Sequence, residues 1–175
     1  MVSDSLSVDI IDSTGTLASD AVTFIRMNAC KAGAILRARG ELRVRVVDDA
    51  AMSEAHGRYL GDPTTTDVIT FDYSDAAGRP GKPESLPTKS DSDRSLYAVD
   101  ADILICVDEA DRRARQGGYA VERELLLYVV HGLLHCLGWD DEDPAESSGM
   151  HRLEDAVLFA IGVGRVYQPE GQGDT

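Results

Sequence analysis

The sequence predicts a single α+β domain in which a small mixed β-sheet packs against helices. Three observations predict it. Stretches with two-residue alternation interleave with stretches of helical spacing, so neither an all-helical bundle nor an all-strand sandwich fits. One helical stretch is apolar on nearly every side, which calls for burial at the centre of the fold. The link between two of the strands, residues 73–99, is not helical in pattern, so the sheet is not a plain succession of parallel strands. With 175 residues and 43% hydrophobic composition, the chain can bury a real core and is not a disordered acidic tail. One domain is expected over residues 1–165, with a surface insertion at 74–96 and a flexible tail at 166–175.

Taken in order, residues 5–12 (SLSVDIID) alternate and predict a strand. Ser19 stands as N-cap before a helix over residues 20–37, and Gly40 is expected to stop it. Residues 41–47 alternate again, with Leu42, Val44 and Val46 on one face and Glu41, Arg43 and Arg45 on the other. Asp48 or Asp49 caps a helix over residues 50–60. The turn GDPTTT leads into a strand at 67–73. Residues 74–96 hold three of the six prolines amid Ser, Asp and Gly, the composition of a surface excursion. A strand at 99–107 follows, then a helix from Asp108 to Gln116 ended by Gly117 and Gly118. The all-round apolar helix covers residues 121–137, and a last helix covers 145–161.

Composition narrows the function. The net charge is −14, which argues against high-affinity non-specific binding to nucleic acid. The longest apolar run, residues 125–130, is far below the roughly 18 residues of a membrane span. The start, MVSDSLSVDIID, does not read as a secretory signal. Cys30, Cys106 and Cys136 lie far apart without a CxxC pair, which suits a reducing cytoplasm rather than a disulfide framework.

The chemistry concentrates in HGLLHCLGWDD, residues 131–141. His131 and His135 are four apart and share one face of a helix, a spacing that can hold one metal ion between two ring nitrogens. Gly138 can take positive φ, end the helix and turn the chain back. The turn would present Trp139, Asp140 and Asp141, with Asp141 as the natural third ligand and an open fourth position for water. The plainer alternative is a pair of polar or hydrogen-bonded core histidines. Metalloproteases of the HExxH type place a glutamate general base after the first histidine, and here that position is Gly132.

HGLLHCLGWDD resembles the HGxLHLxGYDH signature of the bacterial YbeY family, metal-dependent endoribonucleases of ribosomal RNA maturation. TDVITF (residues 66–71) is similar to the family's TDVLSF, and ADILIC (101–106) to its GDIVIS strand. Met150 and Glu154 match its M…E spacing. The resemblance implies a zincin-like central helix and one zinc ion held by His131, His135 and Asp141. It implies cleavage of single-stranded RNA in 16S rRNA 3′-end maturation and small-subunit quality control. The implied partners are ribosomal RNA and the small ribosomal subunit, with a small-subunit protein or a ribosome-assembly GTPase as further candidates. No membrane or DNA partner is expected, and the expected location is the cytoplasm.

Three departures stand out. The family's third histidine is Asp141 here, which keeps a ligand but changes charge and metal preference. The family's arginine falls on Leu60, and leucine cannot bind phosphate, so Arg58 is the candidate substitute. The 74–96 segment is longer than the family's hairpin and could shield the cleft or meet a partner. His56 is a candidate to contact phosphate or shuttle a proton. Asp140 is a candidate to orient a ligand histidine. His151 is a spare ligand should Asp141 point away, and Cys136 reads as core. Arg43 and Arg45 are the candidate RNA-binding residues, with Arg112, Arg113 and Arg115 next. Besides the endoribonuclease, two functions fit less well: a metal-containing assembly factor with little hydrolysis, and a metallopeptidase, which Gly132 disfavours.

Overall fold

The computed structural model describes residues 4–75, 77, 79–87 and 96–167. Four strands and five helices follow one another as β1 (Leu6–Asp12), α1 (Ser19–Ile35), β2 (Ala38–Val47), α2 (Asp49–Leu60), β3 (Val68–Asp72), β4 (Tyr97–Cys106), α3 (Val107–Gly117), α4 (Val121–Cys136) and α5 (Pro144–Ala160). The strands form one sheet in the order β1-β2-β4-β3. β1 and β4 run parallel to β2, and β3 runs antiparallel to β4, so the sheet is mixed as expected.

Alternation sets the two faces of this sheet. Leu42, Val44 and Val46 of β2 and Ala101, Ile103 and Ile105 of β4 join one large core with α1, α4 and α5. The opposite face carries a smaller cluster in which Val47, Ile69 and Cys106 pack on Met52 of α2. α4 lies deep in the large core, in contact with the sheet and with α1, α3 and α5. Leu125, Leu126, Leu133 and Leu134 on it are all but completely enclosed. Burial on that scale contributes about 1.5–3 kcal/mol for each such side chain. Gly132 explains how closely this helix approaches the sheet. A Cβ there would stand 2.5 Å from Ile103 Cδ1 and 2.8 Å from Thr70 Oγ1. The position that carries a glutamate in HExxH proteases is thus pressed against β3 and β4, with no room for a carboxylate.

Two boundary expectations are corrected. Ser19 is the first helical residue rather than the N-cap; Ala18 occupies the cap without a side-chain hydrogen bond. Gly40 does not end α1. The helix stops at Ile35, Arg37 takes the left-handed conformation (φ 59°), and Gly40 lies inside β2 at φ 115°. A Cβ on Gly40 would fall 2.1 Å from the Val99 carbonyl oxygen, so the glycine serves close strand pairing. Asp48 does cap α2, accepting the Ala51 amide at 2.8 Å.

The described part of the proline-rich segment is tied down rather than loose. Tyr97 donates its hydroxyl to the Gly81 carbonyl at 2.6 Å, and the Trp139 indole donates to the Pro83 carbonyl at 2.9 Å. Lys82 pairs with Glu146 at 2.8 Å, and Leu86 packs on the core. Residues 76, 78 and 88–95 of the expected insertion lie outside the described residues, as does the expected tail beyond Tyr167.

Candidate metal centre

α4 ends one residue after His135, at Cys136, and the way it ends builds the site. Gly138 adopts φ 101°. Its amide donates to the His135 carbonyl at 3.0 Å, and the Trp139 amide reaches back to the Leu134 carbonyl at 3.1 Å. This is a glycine-terminated double closure of the helix, and it folds residues 139–141 back over the last turn. The Trp139 carbonyl thereby lands 3.0 Å from His135 Nδ1, and Asp141 comes to face both histidines.

The hydrogen bonds fix the tautomers. His131 Nδ1 lies 2.7 Å from the Glu154 carboxylate, and His135 Nδ1 faces a carbonyl oxygen. Both partners only accept, so each Nδ1 carries the proton and each Nε2 is left as a bare lone pair in the neutral ring. The two Nε2 atoms face each other at 3.0 Å. Two lone pairs at that separation repel unless a cation or proton lies between them. Asp141 adds carboxylate oxygens 3.4 Å from His131 Nε2 and 3.7 Å from His135 Nε2. Zinc holds nitrogen at about 2.0–2.1 Å in a tetrahedron, whose edge is then about 3.3 Å. The 3.0 Å between the nitrogens, and the 3.4 Å and 3.7 Å from them to one or the other Asp141 oxygen, lie close to that edge.

Glu154 is fully buried on α5 beneath His131. Burial of the His131 ring pulls its pKa down; the Glu154 hydrogen bond and charge, with Asp141 and Asp67, outweigh this and raise it. A more basic imidazole is the stronger metal donor. The M…E spacing singles out Glu154 in the sequence without assigning it a role. A signal was present: Met150, Leu153, Glu154 and Val157 form the buried stripe of α5, and an acid on such a stripe requires a partner. Asp140, expected to orient a histidine, instead is exposed and accepts the Glu142 amide at 3.1 Å.

A cleft of about 530 Å³ opens beside His131 and Asp141. Asp67 of the TDV segment, Glu124 and Tyr128 of α4, Arg113 of α3 and the pair His151–Tyr167 line it. Burial pushes the Glu124 carboxyl up, against the Tyr119 hydroxyl that donates to it. His151 stacks on Tyr167 with ring centroids 4.1 Å apart and is not among the converging donors. Cys136 is fully buried in the core.

The remaining candidates lie elsewhere. His56 and Arg58 sit on α2 and do not line this cleft. His56 Nδ1 is 2.8 Å from the Thr64 carbonyl, and Arg58 lies over the Tyr59 ring. Arg43 and Arg45 border a groove of about 430 Å³ with Tyr59, Phe71 and Tyr73. Their side chains alternate with Leu42, Val44 and Val46, so they project from the sheet face opposite α4. Arg43 is engaged by Asp102 at 2.5 Å, Asp100 at 2.6 Å and Glu41 at 3.2 Å. The structure therefore brings His131, His135 and Asp141 together, places Arg113 and His151 along the same cleft, and leaves His56, Arg58, Arg43 and Arg45 apart from it.

A second trio of donors, Asp49, Cys106 and Asp108, also lies within 4.8 Å of one another. It is engaged internally: Arg112 grips both Asp49 oxygens at 2.7 and 2.8 Å, and the Cys106 thiol and Thr65 hydroxyl donate to Asp49 Oδ1. Asp108 accepts the Asp49 amide at 2.8 Å.

Fold and site together define an α+β domain with a candidate metal centre at the end of its buried helix. Comparison with known proteins places the domain further. The family described as Endoribonuclease YbeY matches residues 9–162, and the chain belongs to that family. A relative from Beutenbergia cavernae named Endoribonuclease YbeY is 35% identical over 127 residues, 73% of this chain and 78% of its own length. One of the same name from Mycolicibacterium paratuberculosis is 31% identical over 155 residues, 87% of this chain and 82% of its own. One from Frankia alni is 36% identical over 118 residues, 67% of this chain; the match spans 61% of that relative's length. The solution structure of TM1509 from Thermotoga maritima shares the fold, with a TM-score of 0.51, 19% identity, and 95% of this chain and 99% of that one covered. Among the described residues no helix is long and apolar enough to cross a membrane.

Proposed function

We propose that the chain is a zinc-dependent endoribonuclease that cuts single-stranded RNA. We further propose ribosomal RNA, at the 16S 3′ end, as its substrate, the small subunit as its partner and the cytoplasm as its place of action. One observation carries the reading: two histidine Nε2 lone pairs converge at 3.0 Å with both Nδ1 protons pinned and a carboxylate beside them. Membership of a family described as endoribonucleases supports the reaction class.

His131, His135 and Asp141 would hold the ion. When bound, it supplies Lewis acidity toward a phosphodiester oxygen and acidifies water. The protein's own residues do the rest. Glu154 and the Trp139 carbonyl hold the rings in register and keep the Nδ1 protons in place. Asp67, Glu124 and Asp141 make the cleft acidic. A polyanion enters such a cleft far more readily once a dication offsets those charges, which makes RNA binding itself metal-dependent. Arg43 and Arg45 would meet RNA as a separate surface beyond the sheet, Arg45 with its charge less engaged than Arg43. The missing carboxylate at Gly132 weighs against peptide hydrolysis. A second reading, an assembly factor with little hydrolysis, is favoured by Leu60, which is exposed on α2 where an arginine would be needed.

The test is to incubate zinc-loaded protein with single-stranded RNA and, separately, with casein. RNA cleavage that a chelator abolishes is the expected result. Inertness toward both, with binding to small subunits retained, would establish the assembly factor in its place.

A further inference from the structure

The cleft is acid-rich, yet an RNA strand entering it carries a full negative charge at every phosphodiester. An ion at the histidines can offset charge and hold one phosphodiester; fixing the direction of the strand takes a second contact. That needs a cation of the protein's own, with its donors directed into the cleft.

Among the described residues, Arg113 is the one lysine or arginine that lines the cleft. It lies near the end of α3, which packs on α4. Its Nε donates to Glu109 Oε1 at 2.9 Å, which fixes the plane of the guanidinium. Neither of its Nη groups makes a hydrogen bond among the described residues. The neighbouring cations are engaged elsewhere: Arg112 by Asp49 and Glu109, Arg115 by Asp111 at 2.9 Å. Arg58, the candidate from sequence, lies on α2 outside the cleft.

We propose that Arg113 is the phosphate-binding residue of this cleft, with its Nη edge presented to a phosphodiester of single-stranded RNA and Glu109 as the positioning residue behind it. The proposal rests on the endoribonuclease reading and deepens it. Arginine suits the task because two parallel N–H groups match two phosphate oxygens, whereas lysine offers a point charge. The helical i,i+4 spacing of Glu109 and Arg113 supplies the fixed plane at no cost in fold.

The experiment follows binding and cleavage of a fluorescent single-stranded RNA oligonucleotide at several salt concentrations, with and without zinc. Compared are the wild type, Arg113→Ala, Arg113→Lys, Arg58→Ala and the surface control Arg26→Ala. Zinc stoichiometry and thermal melting are measured for each, and Arg113→Gln replaces the alanine variant if that one melts early. Arg113→Ala is expected to weaken RNA binding about tenfold and to reduce the log–log salt slope by about 0.7 for the one lost contact. It should also lower kcat by about 10²-fold with bound zinc unchanged. Arg113→Lys should restore the slope and only part of the rate, and Arg26→Ala should match the wild type. If the wild type cleaves RNA and Arg113→Ala does so equally with the same salt slope, the assignment to Arg113 is overturned while the endoribonuclease reading stands; a loss confined to Arg58→Ala would move the role to α2. If the zinc-loaded wild type neither binds nor cleaves RNA, the endoribonuclease reading falls and takes the Arg113 assignment with it.

Discussion

Two groups of three donor side chains lie within 4.8 Å of one another in this molecule, His131–His135–Asp141 and Asp49–Cys106–Asp108. By composition both trios suit zinc, one through a thiol and the other through two imidazoles. Their surroundings separate them. At Asp49 both carboxylate oxygens already have donors, including the Arg112 guanidinium and the Cys106 thiol. Burial, aided by the neighbouring Asp49 carboxylate, pushes the Cys106 thiol up and keeps it protonated. At the histidines the reverse holds. The outer nitrogens are tied to acceptors, and the inner nitrogens are left bare and facing one another. Proximity of donor atoms is therefore a weak criterion. A metal site is a place where lone pairs converge without protons to share.

The sharpest way to break this comparison is to remove a histidine. His131→Ala and His135→Ala should each lower zinc affinity by more than about 100-fold, beyond what loss of an outer partner costs. Cys106→Ser should keep a full equivalent of zinc. Equilibrium dialysis with metal analysis reads all three, and zinc lost from Cys106→Ser alone would exchange the two assignments.

Asp141 comes next. Its carboxylate is the most exposed of the three donors and stands farther from the nitrogens than they stand from each other. Asp141→Ala should lose most of the zinc affinity, and Asp141→His should keep the metal. A full equivalent bound by Asp141→Ala at wild-type affinity would show that Asp141 is not a ligand.

Glu154 tests the outer layer. Glu154→Gln keeps the shape but removes the negative charge against His131 Nδ1, and zinc affinity should fall by about 10–100-fold. Asp140→Asn should fall by less, because Asp140 serves the turn at Glu142 rather than a histidine. Equal effects from the two would return Asp140 to the role expected from its place beside Asp141.

Much of the fold was legible because its signals are local. Alternation in residues 41–47 marked both faces of β2, and the unbroken apolarity of residues 125–130 marked α4 as the buried helix. Gly40 misled because a glycine after a helical run reads as a stop, while its real constraint is the Val99 carbonyl on a strand distant in sequence. The histidine pair and Gly138 were legible for the same local reason, since four residues and one turn position them. Glu154 and Arg113 are singled out in the sequence, but their place at the site is not legible there. They reach the site from α5 and α3, and only tertiary packing brings them there. Arg43 and Arg45 show the converse: their strand face could be read, but nothing local revealed that α4 would pack on the other face and that Asp100 and Asp102 of β4 would engage Arg43.

The smallest expected effect concerns the Asp49–Cys106–Asp108 trio. The Arg112 guanidinium, against the cost of burial and with help from Cys106 and Thr65, holds the Asp49 carboxyl down at about 2. An unfolded aspartate titrates near about 3.9. A carboxyl depressed on folding adds stability that is fully present above the unfolded pKa and is lost as pH falls through the folded one. Asp49 should thus stabilise the protein at pH 5 and lose most of that contribution by about pH 2. Its side chain is 41% exposed, so solvent screening keeps the contribution below about 1 kcal/mol. Asp49→Asn removes the charge and keeps an acceptor for Arg112. Urea unfolding of both proteins from pH 5 down to about pH 2 should show the wild type more stable at the top of the range and the difference closing toward the bottom. Other depressed carboxyls, Asp12 and Glu109 among them, are common to both proteins and cancel in the difference. A gap that stays constant across the range would mean that Asp49 stabilises through packing and hydrogen bonding rather than through its charge.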